Sequence, residues 1–147
     1  MNMSFDPRMP SPDTCVLRDV LERRAKETPE SCFVTFEDGT SWSYAQLLGH
    51  TRRAAAALQH LGVCQDDRVL LWMANGPDAL RLWFAINYIG AVFVPINPVH
   101  RGNLLEHMIN NSQARLMLAH ASLVSYLESL KLEWLSDLVI FGGDTQK

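Results

Sequence analysis

Residues 68–98 read RVLLWMANGPDALRLWFAINYIGAVFVPINP, and this stretch decides the fold. Arg68 to Met73 is a short, nearly continuous apolar run, which is typical of a strand covered on both faces. Asn75 to Asp78 turn the chain and place a proline at the first position of a helix. That helix, Pro77 to Ile89, is apolar nearly all round, so it is predicted to be buried. Ala91 to Ile96 follows as a strand, and the stretch therefore predicts a β-α-β unit with parallel strands.

The same alternation continues downstream. Asn103 and Glu106 form a capping-box-like start for a further helix. Arg115 to Ala119 is predicted to be a strand, Leu123 to Leu130 a helix and Leu138 to Phe141 a buried strand. This order predicts an α/β fold with a doubly wound, mainly parallel sheet and helices on both faces.

A helix and a hairpin are predicted ahead of the sheet. Asp13 or Thr14 can cap the helix. Cys32 to Phe36 and Thr40 to Trp42 are the hairpin strands, and Asp38-Gly39 supplies the turn because glycine adopts positive φ without steric cost. The apolar stripe of the helix consists of Leu17, Val20, Leu21 and Ala25.

The next helix has an unusually clear beginning. Ser43 and Gln46 form a capping box, and Trp42 and Leu47 occupy the two positions of a hydrophobic staple. Gly62 is predicted to end the helix as a left-handed C′ residue. The apolar positions at helical spacing are Leu47, Thr51, Ala54, Ala55, Leu58 and Leu61.

Composition narrows the class of protein. The 147 residues are 48% hydrophobic and 20% charged, with a formal net charge of −3, as in a globular domain or part of a larger one. No long basic run occurs, which argues against nucleic acid or an anionic membrane as a partner. Cys15, Cys32 and Cys64 lie far apart and predict neither a disulfide framework nor a zinc site, so a cytoplasmic location is expected.

Neither a secretory signal nor a membrane span is predicted. Met1 to Pro12 lacks an apolar core behind a basic start. Leu82 to Ile96 is the most apolar stretch, but Asn87 and Gly90 interrupt it, and a bilayer span needs about 20 apolar residues.

Candidate chemistry is sparse. In such sheets ligands bind beyond the carboxyl ends of the strands, where His100-Arg101 is the best candidate for touching a ligand and Gly142 to Thr145 could begin a phosphate cradle. Solvation of the loop is the simpler reading of His100-Arg101. Asp66-Asp67 is a pair of carboxylates in a turn, where adjacent side chains usually point apart into water. The histidines have no metal-ligand spacing, and no glycine-rich nucleotide motif or nucleophile elbow occurs.

Four segments, taken in order, resemble the N-terminal region of the adenylate-forming superfamily of acyl-CoA synthetases, luciferases and peptide-synthetase adenylation domains. They are DGTSWSYAQL (38–47), AAAALQHLGVCQDDRV (54–69), MANGPD (73–78) and GAVFVPINP (90–98). The match is most similar to carnitine- or crotonobetaine-type acyl-CoA ligases. Asp66 stands where the family usually has glycine, and aspartate tolerates the left-handed conformation that this turn needs.

The resemblance implies a two-step ligase that uses ATP, Mg²⁺ and CoA. A small carboxylic acid, such as a fatty acid, attacks the α-phosphate of ATP, and the CoA thiol then displaces AMP from the acyl adenylate. The family's phosphate loop, adenosine motifs and catalytic lysine lie beyond this sequence. No catalytic, cofactor-binding or metal residue is therefore carried over, and no cofactor is expected to bind this chain alone.

The expected organisation follows from the proline-containing composition of the first residues and from the same resemblance. Residues 1–13 are a disordered lead-in, residues 14–141 the N-terminal α/β part of an AMP-binding synthetase, and residues 142–147 a truncated tail, with the remainder of the synthetase as partner. Two alternatives stay open. One is a non-catalytic binding or regulatory module that retains the scaffold, and the other is an unrelated flavodoxin-like domain.

Overall fold

The computed structural model describes residues 16–143, and the chain divides into two compact units, Met1–His50 and Thr51–Lys147. The elements, in chain order, are α1 Leu17–Glu27, β1 Cys32–Thr35, β2 Ser41–Ser43, α2 Tyr44–His60, β3 Arg68–Trp72, α3 Pro77–Tyr88, β4 Val92–Pro95, α4 Gly102–Ser112, β5 Leu116–His120, α5 Ala121–Val124 and β6 Asp137–Phe141. A single 3-10 turn, Ser125–Leu127, follows α5.

In the first unit, helix α1 and the hairpin form as predicted. Leu21 is the buried residue of the α1 stripe. The N-cap is Val16, which offers no side-chain cap, and the predicted caps Asp13 and Thr14 lie outside the described residues. Strands β1 and β2 pair antiparallel, and Gly39 in their turn has φ +83°, as predicted.

The capping box at the start of α2 is confirmed. The Ser43 N–H donates to Gln46 Oε1 at 2.8 Å, and the Gln46 N–H donates to Ser43 Oγ at 3.3 Å. Gly62 has φ +82°, as expected for a residue that ends a helix. The prediction that Leu61 belongs to the apolar stripe of α2 is wrong. This residue lies after the last helical residue and is 48% exposed.

In the second unit, four parallel strands form one sheet in the order β4-β3-β5-β6. Val69 and Leu71 of β3 belong to a core with α2 and α3, whereas Leu70 and Trp72 belong to a core with α4 and α5. Because alternate residues of a strand point to opposite faces, helices cover both faces of the sheet. The doubly wound α/β prediction is therefore confirmed. Pro95 fits because β4 borders only β3 among the described strands, and an edge strand tolerates the missing N–H.

Strand β6 is less buried than predicted. Val139 and Phe141 pack against the core, but Leu138 is 38% exposed and Ile140 is 55% exposed. The predicted helix over residues 123–130 is reduced to the short α5 and a 3-10 turn, and Leu138 and Ile140 stay exposed on this second face of β6.

Two helix predictions need correction. Helix α3 is not buried all round, because Trp83 is 42% exposed. The capping box predicted for Asn103 and Glu106 does not form. Arg101 is the N-cap of α4 and makes no side-chain cap, and the Glu106 carboxylate instead accepts the Lys131 N–H at 2.8 Å. Among residues 16–143, no helix has the length and apolar character needed to cross a membrane.

Candidate functional site

The candidate site is the carboxyl edge of the four-stranded sheet in the second unit. Trp72, Pro95, His120 and Phe141 end the four strands on this edge. The chain leaves β3 for α3 on one face and leaves β5 for α5 on the other. The loops after β3 and β5 therefore diverge, which makes this pair of strands the topological switch point where α/β sheets bind ligands.

Arg101 is held against the aromatic residues of this edge. Its guanidinium carbon lies 3.9 Å from the ring centroid of Tyr126 and 5.7 Å from that of Trp72. Its Nη1 donates to the carbonyl oxygens of Pro98 and His100, the latter at 2.7 Å. The hydrogen bonds hold Arg101 within the loop after β4, and its cation–π contact with Tyr126 joins this loop to the segment after β5.

The contacts of His100-Arg101 are internal to the protein. His100, the other residue of the pair, has its Nδ1 3.0 Å from Met108 Sδ. Sequence reasoning missed the aromatic partners of Arg101, because Trp72 and Tyr126 lie in other elements, far from Arg101 in the sequence. The Trp72 indole N–H is buried and has no hydrogen-bond partner among the described residues.

His120, at the end of β5, closes the start of α5. Its Nδ1 accepts the Ser122 N–H at 3.3 Å and lies 2.8 Å from Ser122 Oγ. The neutral ring therefore carries its proton on Nε2. This histidine acts as an N-cap, a role usually taken by serine, threonine, aspartate or asparagine, so sequence patterns do not predict it.

The His120 ring also occupies the space beside Gly142. A Cβ built on Gly142 would lie 2.4 Å from Nε2, and Gly142 has φ +60°. The predicted phosphate cradle at residues 142–145 begins at this point, but Asp144 and Thr145 lie outside the described residues. Where it is described, the loop packs on His120.

The remaining candidates do not assemble a reactive centre. No group of three or more potential metal-ligating side chains occurs within residues 16–143. The Asp67 carboxylate accepts the Cys64 N–H at 2.7 Å, at the amino end of β3 and therefore at the opposite edge of the sheet. That the chain supplies no catalytic, cofactor-binding or metal residue stays a prediction.

Known proteins resemble this chain over most of its length. The family model described as AMP-binding enzyme matches residues 21–140. Indigoidine synthase of Streptomyces lavendulae is 32% identical over 117 residues, which are 80% of this chain and 9% of that protein. 4-Coumarate–CoA ligase 2 of Oryza sativa subsp. japonica is 29% identical over 140 residues, which are 95% of this chain and 25% of the ligase.

Solved structures agree with the fold. The anthranilate CoA ligase AuaEII in complex with anthranoyl-AMP superposes with a TM-score of 0.78 at 24% identity, over 86% of this chain and 25% of the ligase. A long-chain-fatty-acid–CoA ligase of Archaeoglobus fulgidus superposes with a TM-score of 0.76 at 22% identity, over 88% of this chain and 28% of that ligase. The chain spans a quarter or less of the length of the two relatives above. With the family model matched across both units and the parallel sheet in place, the chain belongs to the AMP-binding enzyme family.

Proposed function

We propose that this chain is the N-terminal part of an ATP-dependent acyl-CoA ligase. The match to the AMP-binding family over residues 21–140 carries the proposal. One relative, 4-coumarate–CoA ligase 2, aligns with 95% of the chain. This supports the thiol of CoA as the acceptor of the acyl group. The carnitine- or crotonobetaine-type subclass of small carboxylic acid remains part of the proposal.

The reaction has two steps. A carboxylate oxygen attacks the α-phosphate of ATP, the bond to the β-phosphate oxygen breaks, and acyl-AMP and pyrophosphate form. The CoA thiol then attacks the acyl carbon, and AMP leaves as a thioester forms. Activation is needed because a carboxylate has no good leaving group, and Mg²⁺ with basic groups neutralises the phosphate charge.

The residues of this chain would hold loops in position next to the place where the reaction occurs. The Arg101 contacts with Tyr126 and Trp72 hold the loop after β4, and the His120 cap holds the start of α5. Both lie at the carboxyl edge, where the rest of the ligase would bind ATP and the acyl substrate. We therefore assign these residues to positioning loops, with ATP, Mg²⁺ and CoA bound by the complete enzyme.

The remainder of the synthetase is the partner that this proposal requires. The exposed Leu138 and Ile140 of β6 support it, because apolar side chains on one face of a sheet are normally covered by another layer. A cytoplasmic location, without a nucleic-acid partner or a membrane span, completes the proposal.

The test is to sequence the transcript beyond the codon for Lys147 and to assay the product of the whole reading frame. We expect an in-frame Ser/Thr/Gly-rich segment ending in Pro-Lys-Gly within a few dozen codons. The full-length protein should release pyrophosphate only when ATP, Mg²⁺ and a carboxylic acid are present, and should then form a CoA thioester. An immediate stop codon would overturn the proposal and favour a binding module that keeps the scaffold.

A further inference from the structure

A cleft opens at the amino edge of the sheet, opposite the candidate site. Its volume is about 290 Å³. It lies in the second unit, where β3 and β5 begin, and the residues that matter for its chemistry are Asp66, Arg68, Gln113 and Arg115. Ligand sites usually start near 300 Å³, so this cleft suits a molecule of only a few heavy atoms.

Two opposite charges line this amino-edge cleft without neutralising each other. The Arg68 guanidinium donates only a long hydrogen bond, 3.4 Å, to the uncharged Gln113 Oε1. The Asp66 carboxylate makes no hydrogen bond or ion pair with another described residue, although the Asp66 N–H donates to the Gly90 carbonyl at 3.0 Å. A cation and an anion are thus both available within one small cavity.

The other charged groups of the cleft are already engaged. The Asp67 carboxylate accepts the Cys64 N–H at 2.7 Å, and Arg115 Nε lies 3.4 Å from the Asp137 carboxylate. Asp66 therefore differs from Asp67 in accepting no hydrogen bond, and Arg68 differs from Arg115 in having no ion-pair partner, among residues 16–143. They are the groups that a ligand would meet.

The backbone at two residues of the cleft has an uncommon conformation. Asp66 and Gln113 have φ +67° and +53°, and they are the two non-glycine residues with positive φ in the described part of the chain. Such conformations persist where the surrounding structure holds them and are found often at ligand sites. Both residues line the cleft, where their side chains are exposed to solvent.

We propose that the amino-edge cleft binds a small dipolar molecule that carries one carboxylate and one ammonium group. The guanidinium of Arg68 receives the carboxylate, for which its planar donors are suited, and the Asp66 carboxylate receives the ammonium group. The site is independent of the acyl-CoA ligase chemistry proposed for the opposite edge.

The test is a titration of the folded 147-residue chain with 4-aminobutyrate, followed by backbone amide NMR. Butyrate and butylamine, which each carry one of the two charges, serve as matched probes. We expect saturable shifts at Asp66, Arg68 and Gln113, with 4-aminobutyrate binding about tenfold more tightly than either single-charge analogue. Equal affinity for all three, or no saturable shift while the spectrum remains that of a folded protein, overturns the proposal.

Two substitutions assign the charges, and a third is the control. Arg68→Gln should weaken 4-aminobutyrate and butyrate alike. Asp66→Asn, which tolerates the same backbone conformation, should weaken 4-aminobutyrate and butylamine but leave butyrate unchanged. Arg81→Gln removes an equal charge from α3, where Arg81 pairs with Asp78 at 2.8 Å, and should leave all three affinities unchanged. An equal loss in Arg81→Gln and Arg68→Gln would show a general charge effect and refute the site.

Discussion

Single residues in this chain are fixed mainly by hydrogen bonds to their near neighbours in sequence. The Asp38 carboxylate in the β1–β2 turn accepts the Thr40 hydroxyl at 2.7 Å and the Thr40 N–H at 2.9 Å. Both bonds favour the ionised form, so they lower the pKa of Asp38, the hydroxyl bond most. Because the folded pKa lies below the unfolded one, the stabilisation is present above the unfolded pKa and is lost as pH falls through the folded pKa.

Thr40→Val should therefore raise the pKa of Asp38 toward its ordinary value. The valine removes the hydroxyl donor and leaves the backbone donor in place, so the change should be partial. Carboxyl-carbon NMR of Asp38 during an acid titration measures it. Thr35→Val on the neighbouring strand is the control, and an equal shift in both variants would contradict the assignment.

Gly142 is the residue at which a side chain should do the most local damage. Gly142→Ala places a Cβ 2.4 Å from His120 Nε2 and retains a positive φ. We expect the free energy of unfolding to fall by about 1–3 kcal/mol, as for other substitutions that overfill a packed site. Urea unfolding measures the change.

Gly39→Ala is the matched control for this prediction. Gly39 has φ +83°, but nothing lies within 4 Å of its built Cβ, so the alanine there should show the backbone cost without the steric one. A loss at Gly142 no larger than that at Gly39 would mean that the imidazole moves aside freely.

At the scale of elements, the local signal at the start of α2 was read correctly, the capping box predicted at Asn103 and Glu106 was wrong, and contacts between distant residues were missed. Ser43 and Gln46 predicted the start of α2, because a capping box depends on residues within one four-residue segment. The stack of Arg101 on Tyr126 and Trp72 unites residues far apart in sequence, and no short pattern encodes it. Apolar content alone also overestimated the burial of β6 and α3, because it does not reveal which faces a neighbouring element covers.

The two faces of β6 should respond differently to truncation. Val139 packs against the core, whereas Ile140 is 55% exposed. Val139→Ala should lower the free energy of unfolding of the 147-residue chain by about 1 kcal/mol or more, and Ile140→Ala should change it by less than about 0.5 kcal/mol. Urea unfolding of the two variants side by side tests this. A larger loss for Ile140→Ala would show that another part of the chain covers that face.

At the scale of the whole molecule, family membership and fold were predictable from the order of four short motifs. For the loops expected to bind ligands, only their location at the carboxyl edge of the sheet was predictable. Their contacts depend on His120 and Arg101 meeting partners from other elements, which the motifs do not specify. The carnitine-type subclass stays a prediction, since the relatives include a 4-coumarate ligase and an indigoidine synthase.

The purified 147-residue chain should be inactive by itself. With ATP, Mg²⁺, CoA and butyrate it should release no pyrophosphate above the rate without protein, because the groups expected to bind ATP are not supplied by its motifs. A coupled pyrophosphate assay measures this, with the product of the whole reading frame as the positive control. If the 147-residue chain released pyrophosphate as fast as the product of the whole reading frame, this would contradict the proposal that the rest of the enzyme binds ATP.

The position of β3 also has a consequence for synthesis on the ribosome. Among the four described strands of its sheet it is the first to emerge, and it lies between β4 and β5, the next two strands in the chain. Each of these can dock on one side of a strand that is already present, so no parallel pairing has to wait for the end of translation. Cotranslational folding of these four strands should therefore proceed outward from β3, with β6 the last of the four to be added.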